Sequence, residues 1–122
     1  MITYLSSQSE QLRERTKAFA LRIVKLFRSL PRAIEAQVIG KQLLRSGTSV
    51  AANYRAACRA RSRAEFVAKL GVVVEEVDEC VLWIEMLIDA EILKKARLDQ
   101  LLNEARQLTA IFTASRETAK QK

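Results

Sequence analysis

The sequence predicts an all-α protein, an antiparallel up-and-down four-helix bundle in a single domain spanning residues 1–122. Three Gly and one Pro leave few helix breakers in the chain, and its hydrophobic fraction of 49% is enough for a core. Four segments repeat apolar residues three and four positions apart, which is the period of a helix with one buried face. Short turns between such helices favour a bundle. We expect the helices at about 8–29, 33–60, 63–89 and 95–115.

Helices one and two are separated by Pro31, which lacks a backbone N–H and disfavours helix in the residue before it. Helix two then passes through a tract of small residues at 46–53. Gly40 and Gly47 would each cost an isolated helix about 1 kcal/mol relative to Ala. We therefore expect close packing of helix two against a neighbouring helix to compensate. The apolar stripe of helix one is Leu12, Phe19, Ile23, Phe27 and Leu30.

Helix three is predicted to begin at a capping box, in which Ser62 and Glu65 each satisfy a backbone N–H without a partner in the helix. Its apolar residues then repeat four and three apart over about three heptads, the clearest pattern in the chain. A break falls within 89–94, where neither Gly nor Pro fixes the position. Helix four follows, and we expect the polar residues after 115 to fray.

Apolar residues also lie on a second side of helix three. Val72, Trp83 and Met86 fall outside the core stripe, and an apolar surface of this kind is typical of a contact between chains. The sequence therefore predicts self-association of the chain, with these three residues at the subunit interface.

The net charge of +7 is divided unevenly along the chain. Residues 1–63 carry 13 Lys and Arg against 3 Asp and Glu, whereas residues 64–122 carry 8 against 11. Such a division indicates either an anionic partner for the basic half or helices of opposite charge packed on each other.

Seven basic residues are candidates for contact with nucleic acid. Guanidinium groups suit phosphate oxygens, and without a zinc finger or an aromatic RNA-binding motif the contact would be with backbone phosphates and depend strongly on salt. The alternative is that the arginines pair with the acidic residues of helix three or with a neighbouring subunit. The candidates are Arg15, Arg22, Lys25, Arg55, Arg59, Arg61 and Arg63.

The acidic residues of helix three are the strongest sign of catalysis. They resemble the carboxylates with which all-α nucleotide pyrophosphohydrolases hold Mg²⁺, a cation that prefers oxygen ligands. That chemistry needs a second acidic pair on a facing helix, where Asp99 and Glu104 are not spaced to share a turn. Ferritin-like sites need Glu-x-x-His motifs, and the chain has no His. We expect no metal, no cofactor and no catalytic residue, and a solvated or salt-bridged role for Glu75, Glu76, Asp78 and Glu79.

Two cysteines give no framework of paired disulfides, so we expect Cys58 and Cys80 to be small buried core residues in a reducing compartment. Neither has a His partner that would activate its thiol as a nucleophile. Residues 1–10 lack a basic region followed by a long apolar stretch, and the longest strictly apolar run covers only 80–84. The sequence therefore predicts a cytoplasmic protein without a signal peptide or a membrane span.

Three stretches resemble the signature of a bacterial four-helix-bundle family that includes the 23S rRNA intervening-sequence proteins. They are SLP at 29–31, QLLRSGTSVAAN at 42–53 and RSRAEF at 61–66. Their order and spacing both match, and the resemblance spans roughly residues 12–115. That family is also similar to the accessory variability determinants of diversity-generating retroelements. Members commonly continue with an Ile-Ala-Glu-Gly-x-Gly-Arg-like segment, whereas residues 54–60 here lack the acidic residue and both glycines.

The resemblance implies a homo-oligomer, with pentamers among relatives, and no established enzymatic activity. It also implies a link to nucleic acid, through genes lodged in ribosomal RNA or through a partner reverse transcriptase. The resulting expectation is a non-enzymatic homo-oligomeric scaffold whose basic surface binds the phosphates of RNA or DNA. The alternative is a protein-interaction module that docks an acidic protein partner, in which the arginines are structural.

Overall fold

A computed structural model describes residues 7–121, and within that range the chain forms four α-helices and no β-strand. The bounds of the first three agree closely with the sequence prediction, because Pro31 and Ser62 interrupt the helical pattern where the structure has its connections. The helices are α1 (Ser7–Arg28), α2 (Ile34–Cys58), α3 (Arg63–Asp89) and α4 (Lys95–Gln121).

One hydrophobic core lies between the four helices, as in a four-helix bundle. The α2–α3 contact is the largest, and the α1–α4 contact is the smallest. Tyr54 of α2 and Phe112 of α4 meet in the core with their ring centroids 5.0 Å apart. The predicted apolar stripes of all four helices are buried, apart from Phe27 and Phe66, which are half-buried at the edge of the core.

Local hydrogen bonds fix both ends of α3. At its start the Ser62 hydroxyl accepts a hydrogen bond from the Glu65 backbone N–H at 3.1 Å, which is one half of the predicted capping box. At its end the Ile92 N–H donates to the Leu87 carbonyl at 3.0 Å around Glu91, whose φ of 58° is left-handed. This is a Schellman motif with Glu at the position that Gly usually occupies, so the break within 89–94 carries no sequence signal.

The helix α4 continues to Gln121, so the expectation that it would end near residue 115 and fray is wrong. Its last turns contain good helix formers and an ion pair between Lys120 and Glu117 at 3.3 Å. Arg116 is half-buried there and donates a 3.4 Å hydrogen bond from its Nε to the Val67 carbonyl. Gly71 leaves room for this contact, since a Cβ at that position would lie 3.1 Å from the Arg116 Nε.

Both cysteines are free and buried, as predicted. Burial, together with the nearby carboxylates of Glu76 and Glu79, raises the pKa of the Cys80 thiol to about 12. Burial also raises the pKa of Cys58, although a hydrogen bond with Tyr54 offsets part of the effect. Because the thiolate is the reactive form, both residues are inert core groups at neutral pH.

Candidate nucleic-acid interface

Small residues in α2 bring α1 and α2 close together. A Cβ on Gly47 would collide with the Cδ1 atom of Ile23, and a Cβ on Gly40 would collide with the Cδ1 atom of Leu30. Ile23 of α1 and Leu30 just beyond its end therefore occupy the space that larger α2 residues would need. This confirms the expected close packing of helix two and places the outer flanks of α1 and α2 side by side.

A groove of about 490 Å³ follows the outer side of this α1–α2 contact. Arg13 and Lys17 line it from α1, one turn apart, and Arg55 and Arg59 line it from α2, also one turn apart. The other lining residues are small: Ala20, Thr48, Ala51, Ala52 and Ala56. We call this surface the α1–α2 groove.

The charge of the α1–α2 groove is not neutralised by the protein. In the part of the chain that the structure describes, its lining contains no carboxylate, and none of its four cations forms an ion pair. Arg55 and Arg59 are exposed, and Lys17 is exposed opposite them. The groove is therefore a concentrated positive surface that is open to an anion.

Arg13 differs from the other three cations because it is half-buried, and its Nε lacks a hydrogen-bond partner within residues 7–121. It lies close enough to Tyr54 and Cys58 for its charge to act on both groups. Burial raises the pKa of Tyr54, and the positive charge of Arg13 offsets only a small part of that rise. A buried N–H without an acceptor is costly, so the position of the Arg13 Nε costs the fold some stability.

The four arginines that lie close together in the sequence at 55–63 separate in the structure. Only Arg55 and Arg59 line the α1–α2 groove. Arg61 lies in the connection before α3, with its side chain 90% exposed and its Nε 3.7 Å from the Glu65 carboxylate. Arg63 lines a different cavity, of about 580 Å³, beside the last turns of α4.

The three α1 candidates all lie on the flank that faces α4. The Arg15 guanidinium donates two hydrogen bonds to Glu104, at 2.7 and 2.8 Å, and a third to Gln107 at 2.9 Å. The hydrogen bonds to Glu104 raise the pKa of Arg15, and its charge is held within the fold. Arg22 and Lys25 instead line a cleft of about 360 Å³ together with Arg97 of α4. We call this surface the α1–α4 cleft.

Arg13, Lys17 and Arg97 were not predicted as site residues, although part of the signal was present. Arg13 and Lys17 are one turn apart and directly follow the core positions Leu12 and Thr16, so a helical projection puts them on the flank opposite Arg15. Which neighbouring helix covers each flank of α1 is a matter of tertiary structure. The sequence alone therefore does not divide the cations of α1 between two surfaces.

The acidic residues of α3 pair with an arginine that the sequence did not single out. Arg45 of α2 donates to the Glu79 carboxylate at 2.6 Å and to the Glu76 carboxylate at 3.1 Å. Glu76 is buried, with 8% of its surface exposed. On the other side of α3, Glu85 pairs with Arg106 of α4 at 3.0 Å. Of the four carboxylates for which a solvated or salt-bridged role was predicted, Glu76 and Glu79 are therefore salt-bridged.

The three residues predicted at a subunit interface lie on the outer side of α3. Val72 and Met86 are each 38% exposed, and Leu82 nearby in the sequence is 47% exposed. Trp83 is half-buried, and its indole Nε1 has no hydrogen-bond partner among the described residues. This stretch of α3 therefore presents apolar surface to solvent.

Residues 7–121 contain no group of three or more His, Cys, Asp and Glu side chains that is arranged to hold a metal ion. No helix in the same range combines the length and hydrophobicity needed to cross a membrane.

Comparison with known proteins identifies the family. No curated protein matches the chain. A crystal structure of a protein of unknown function from the S23 ribosomal protein family of Bacteroides thetaiotaomicron VPI-5482 is 32% identical and superposes with a TM-score of 0.83. The match covers 89% of this chain and 97% of the other. The family model described as 23S rRNA-intervening sequence protein matches residues 8–114. The chain therefore belongs to the family of 23S rRNA-intervening sequence proteins.

Proposed function

We propose that this protein is a non-enzymatic scaffold that binds the phosphate backbone of nucleic acid in the α1–α2 groove. The observation that carries the proposal is the convergence of two cation pairs, Arg13 with Lys17 and Arg55 with Arg59, from two helices. Within residues 7–121 these four charges have no acidic partner. A phosphate chain would release counterions from both itself and the groove, which favours association.

The spacing of the four cations suits successive phosphates. Residues four positions apart on a helix are separated by about 6 Å along its axis, and both pairs have this separation. The alanine lining of the groove lets a backbone approach closely, while guanidinium groups present paired N–H donors to phosphate oxygens.

Binding of this kind would read the backbone and not the bases. The residues that line the α1–α2 groove include no aromatic side chain on which a base could stack. Affinity should then vary little with sequence and fall steeply with salt. If all four cations contact phosphates, the slope of log K against log salt is about −3 to −4 for each groove.

We further propose that the four helices run alternately up and down. The connections between them are short. The last turns of α1 and the first turn of α4 line the same cleft, through Lys25 and Arg97. Gly40 near the start of α2 contacts Leu30 just beyond the end of α1. Both contacts are those of antiparallel neighbours.

Self-association through the outer side of α3 completes the proposal. Val72, Trp83 and Met86 would be covered by a second copy of the chain, in a homo-oligomeric ring that the family resemblance suggests is a pentamer. A ring would repeat the α1–α2 groove once per subunit, and weak phosphate contacts would add into useful avidity if one polymer could reach several grooves.

Fluorescence anisotropy tests the proposed groove. The probes are a labelled DNA duplex and a labelled structured RNA, each titrated with protein over a series of salt concentrations. The groove variant carries Arg55→Gln and Arg59→Gln, and the matched control carries Arg32→Gln and Lys41→Gln, which removes two exposed cations outside the groove. We expect the groove variant to bind at least tenfold more weakly at low salt, with a slope reduced by about 2, and the control to change less than threefold.

Two results would contradict this function. The absence of salt-sensitive binding to either polymer removes the nucleic-acid proposal, and an equal loss in both variants assigns the affinity to net charge alone.

The alternative function, a module that docks an acidic protein such as a reverse transcriptase, would be favoured by one specific pattern of results. In that pattern a purified acidic partner binds the wild type, the groove variant loses it, and neither polymer binds.

A further inference from the structure

We infer that the α1–α4 cleft is a second anion site, which takes a compact multivalent phosphate such as pyrophosphate. Arg22 and Lys25 line the cleft from the end of α1, and Arg97 lines it from the first turn of α4. Arg13 and Lys17, which serve the proposed nucleic-acid groove, lie on the other flank of α1. The inference therefore stands or falls independently of that function.

The charges in the α1–α4 cleft lack compensation from the protein. Across the described range, Arg22, Lys25 and Arg97 take part in no ion pair, and no carboxylate lines the cleft. The carboxylate closest in sequence to Arg97 is Asp99, which pairs with Lys95 at 3.1 Å and lines a different cavity, between α3 and α4. Three like charges that share one cavity repel each other, and an anion between them would turn that repulsion into attraction.

The position of the cleft on the helices adds to this field. The first turn of α4 contains no acidic residue, so the positive end of its helix dipole is not offset there. The floor of the cleft includes Leu26, Leu98 and Leu101, all buried. A wall of buried leucines excludes water on one side, which strengthens an arginine–phosphate contact relative to one in bulk solvent.

The length of the ligand is limited by the next contact along the same seam. Arg15 and Glu104 lie about two turns away from Arg22 and Arg97, and their side chains close the seam with two hydrogen bonds. Because the charges of this pair cancel, it offers no net attraction to an anion that extended in that direction. The geometry thus favours a short, densely charged ion over a polymer that runs along the seam.

Binding in the cleft should stabilise the fold, because the ligand would bridge the two helices that share the smallest contact. A ligand that binds only the folded state stabilises it in proportion to the logarithm of its concentration. For a chain of this size we expect Tm to rise by about 3–5 °C at a ligand concentration ten times the Kd.

Thermal unfolding followed by circular dichroism, with pyrophosphate as the probe and sodium chloride at the same ionic strength as reference, tests the site. The cleft variant carries Arg22→Gln and Arg97→Gln, and Arg32→Gln with Lys41→Gln again serves as the matched control. We expect pyrophosphate to raise the Tm of the wild type and the control, and the cleft variant to lose the shift. Without ligand, the cleft variant should be no less stable than the wild type, since the substitutions relieve repulsion.

Amide chemical shifts measured by NMR during the same titration locate the ion. Changes centred on 22–29 and 95–101 support the cleft, whereas changes centred on 13–20 and 48–59 would assign pyrophosphate to the α1–α2 groove and overturn the inference. A Tm shift no larger than that in sodium chloride, or one retained by the cleft variant, would also overturn it.

A trinucleotide with and without a 5′-diphosphate separates two sources of the ligand. Tighter binding of the phosphorylated form indicates a nucleic-acid end, and equal weak binding of both forms indicates free pyrophosphate.

Discussion

The two long flanks of α2 carry arginines in opposite electrostatic states. Toward α3, Arg45 reaches the carboxylates of Glu76 and Glu79 at 3.1 and 2.6 Å. Toward α1, Arg55 and Arg59 share a groove with two more cations, and its lining within residues 7–121 has no carboxylate. An arginine of α2 is therefore structural where it faces the acidic helix α3 and available to an anion where it faces the basic helix α1.

The uneven charge of the sequence explains this difference. The basic excess lies in residues 1–63 and the acidic excess in residues 64–122, so α2 meets opposite charge on α3 but like charge on α1. At the α2–α3 contact, helices of opposite charge pack on each other, and Arg45 pairs there with Glu76 and Glu79. At the α1–α2 contact the packing energy comes from Gly40, Gly47 and the apolar side chains they admit, and the cations remain outside it.

Removing the structural arginine should have the largest effect. Arg45→Ala leaves the buried Glu76 carboxylate without its partner, and we expect the free energy of unfolding to fall by about 2–3 kcal/mol. Urea unfolding followed by circular dichroism measures the change. Arg106→Ala is the matched control, because its pair with Glu85 is exposed on both sides and should contribute less than about 1 kcal/mol. Similar losses in the two variants would contradict a special role for Arg45.

The packing beneath the α1–α2 groove gives the next prediction. Gly47→Ala gains up to about 1 kcal/mol of helix propensity, but its Cβ would collide with the fully buried side chain of Ile23. Overpacking costs about 1–3 kcal/mol, so we expect a net loss of about 1–2 kcal/mol in the same urea experiment. Gly71→Ala is the comparison, since the three atoms nearest its Cβ, at 3.1 to 3.3 Å, belong to the long, half-buried side chain of Arg116 and not to a buried core residue. If Gly47→Ala is the more stable variant, then α1 and α2 are less tightly packed than described.

Much of this fold could be predicted because the signals that define its helices lie close together in the sequence. The three-and-four spacing locates the core, Pro31 ends α1, and Ser62 caps α3 through the hydrogen bond that its motif predicts. The end of α3 could not be placed, because its left-handed residue is Glu91 and not Gly. The extension of α4 to Gln121 was missed because Arg116 is held by Val67, a tertiary contact that polarity alone does not reveal.

The candidate site was only partly predictable, for a different physical reason. Arg55 and Arg59 were found because clustered arginines stand out in a sequence. Arg61 and Arg63 stood out equally but lie elsewhere, because the chain turns between α2 and α3. Arg13 and Lys17 belong to the groove only because α1 lies alongside α2. A surface shared by two helices depends on their relative rotation, which the periodicity of either helix does not fix.

The smallest expected change in stability distinguishes the α1-facing flank of α2 from its α3-facing flank. Substitution of the arginines should leave Tm unchanged or raise it on the first flank and lower it on the second. Arg55→Gln with Arg59→Gln removes charges that face other cations, so the unliganded variant should unfold at the same temperature as the wild type or about 1–2 °C higher at low salt. The difference should vanish above about 0.5 M salt, where the Debye length is only a few ångströms. Arg45→Ala should lower the Tm at every salt concentration, since burial shields the Glu76 carboxylate from screening. A lower Tm for the groove variant at low salt would mean that Arg55 and Arg59 stabilise the fold, and the available cations would then be structural after all.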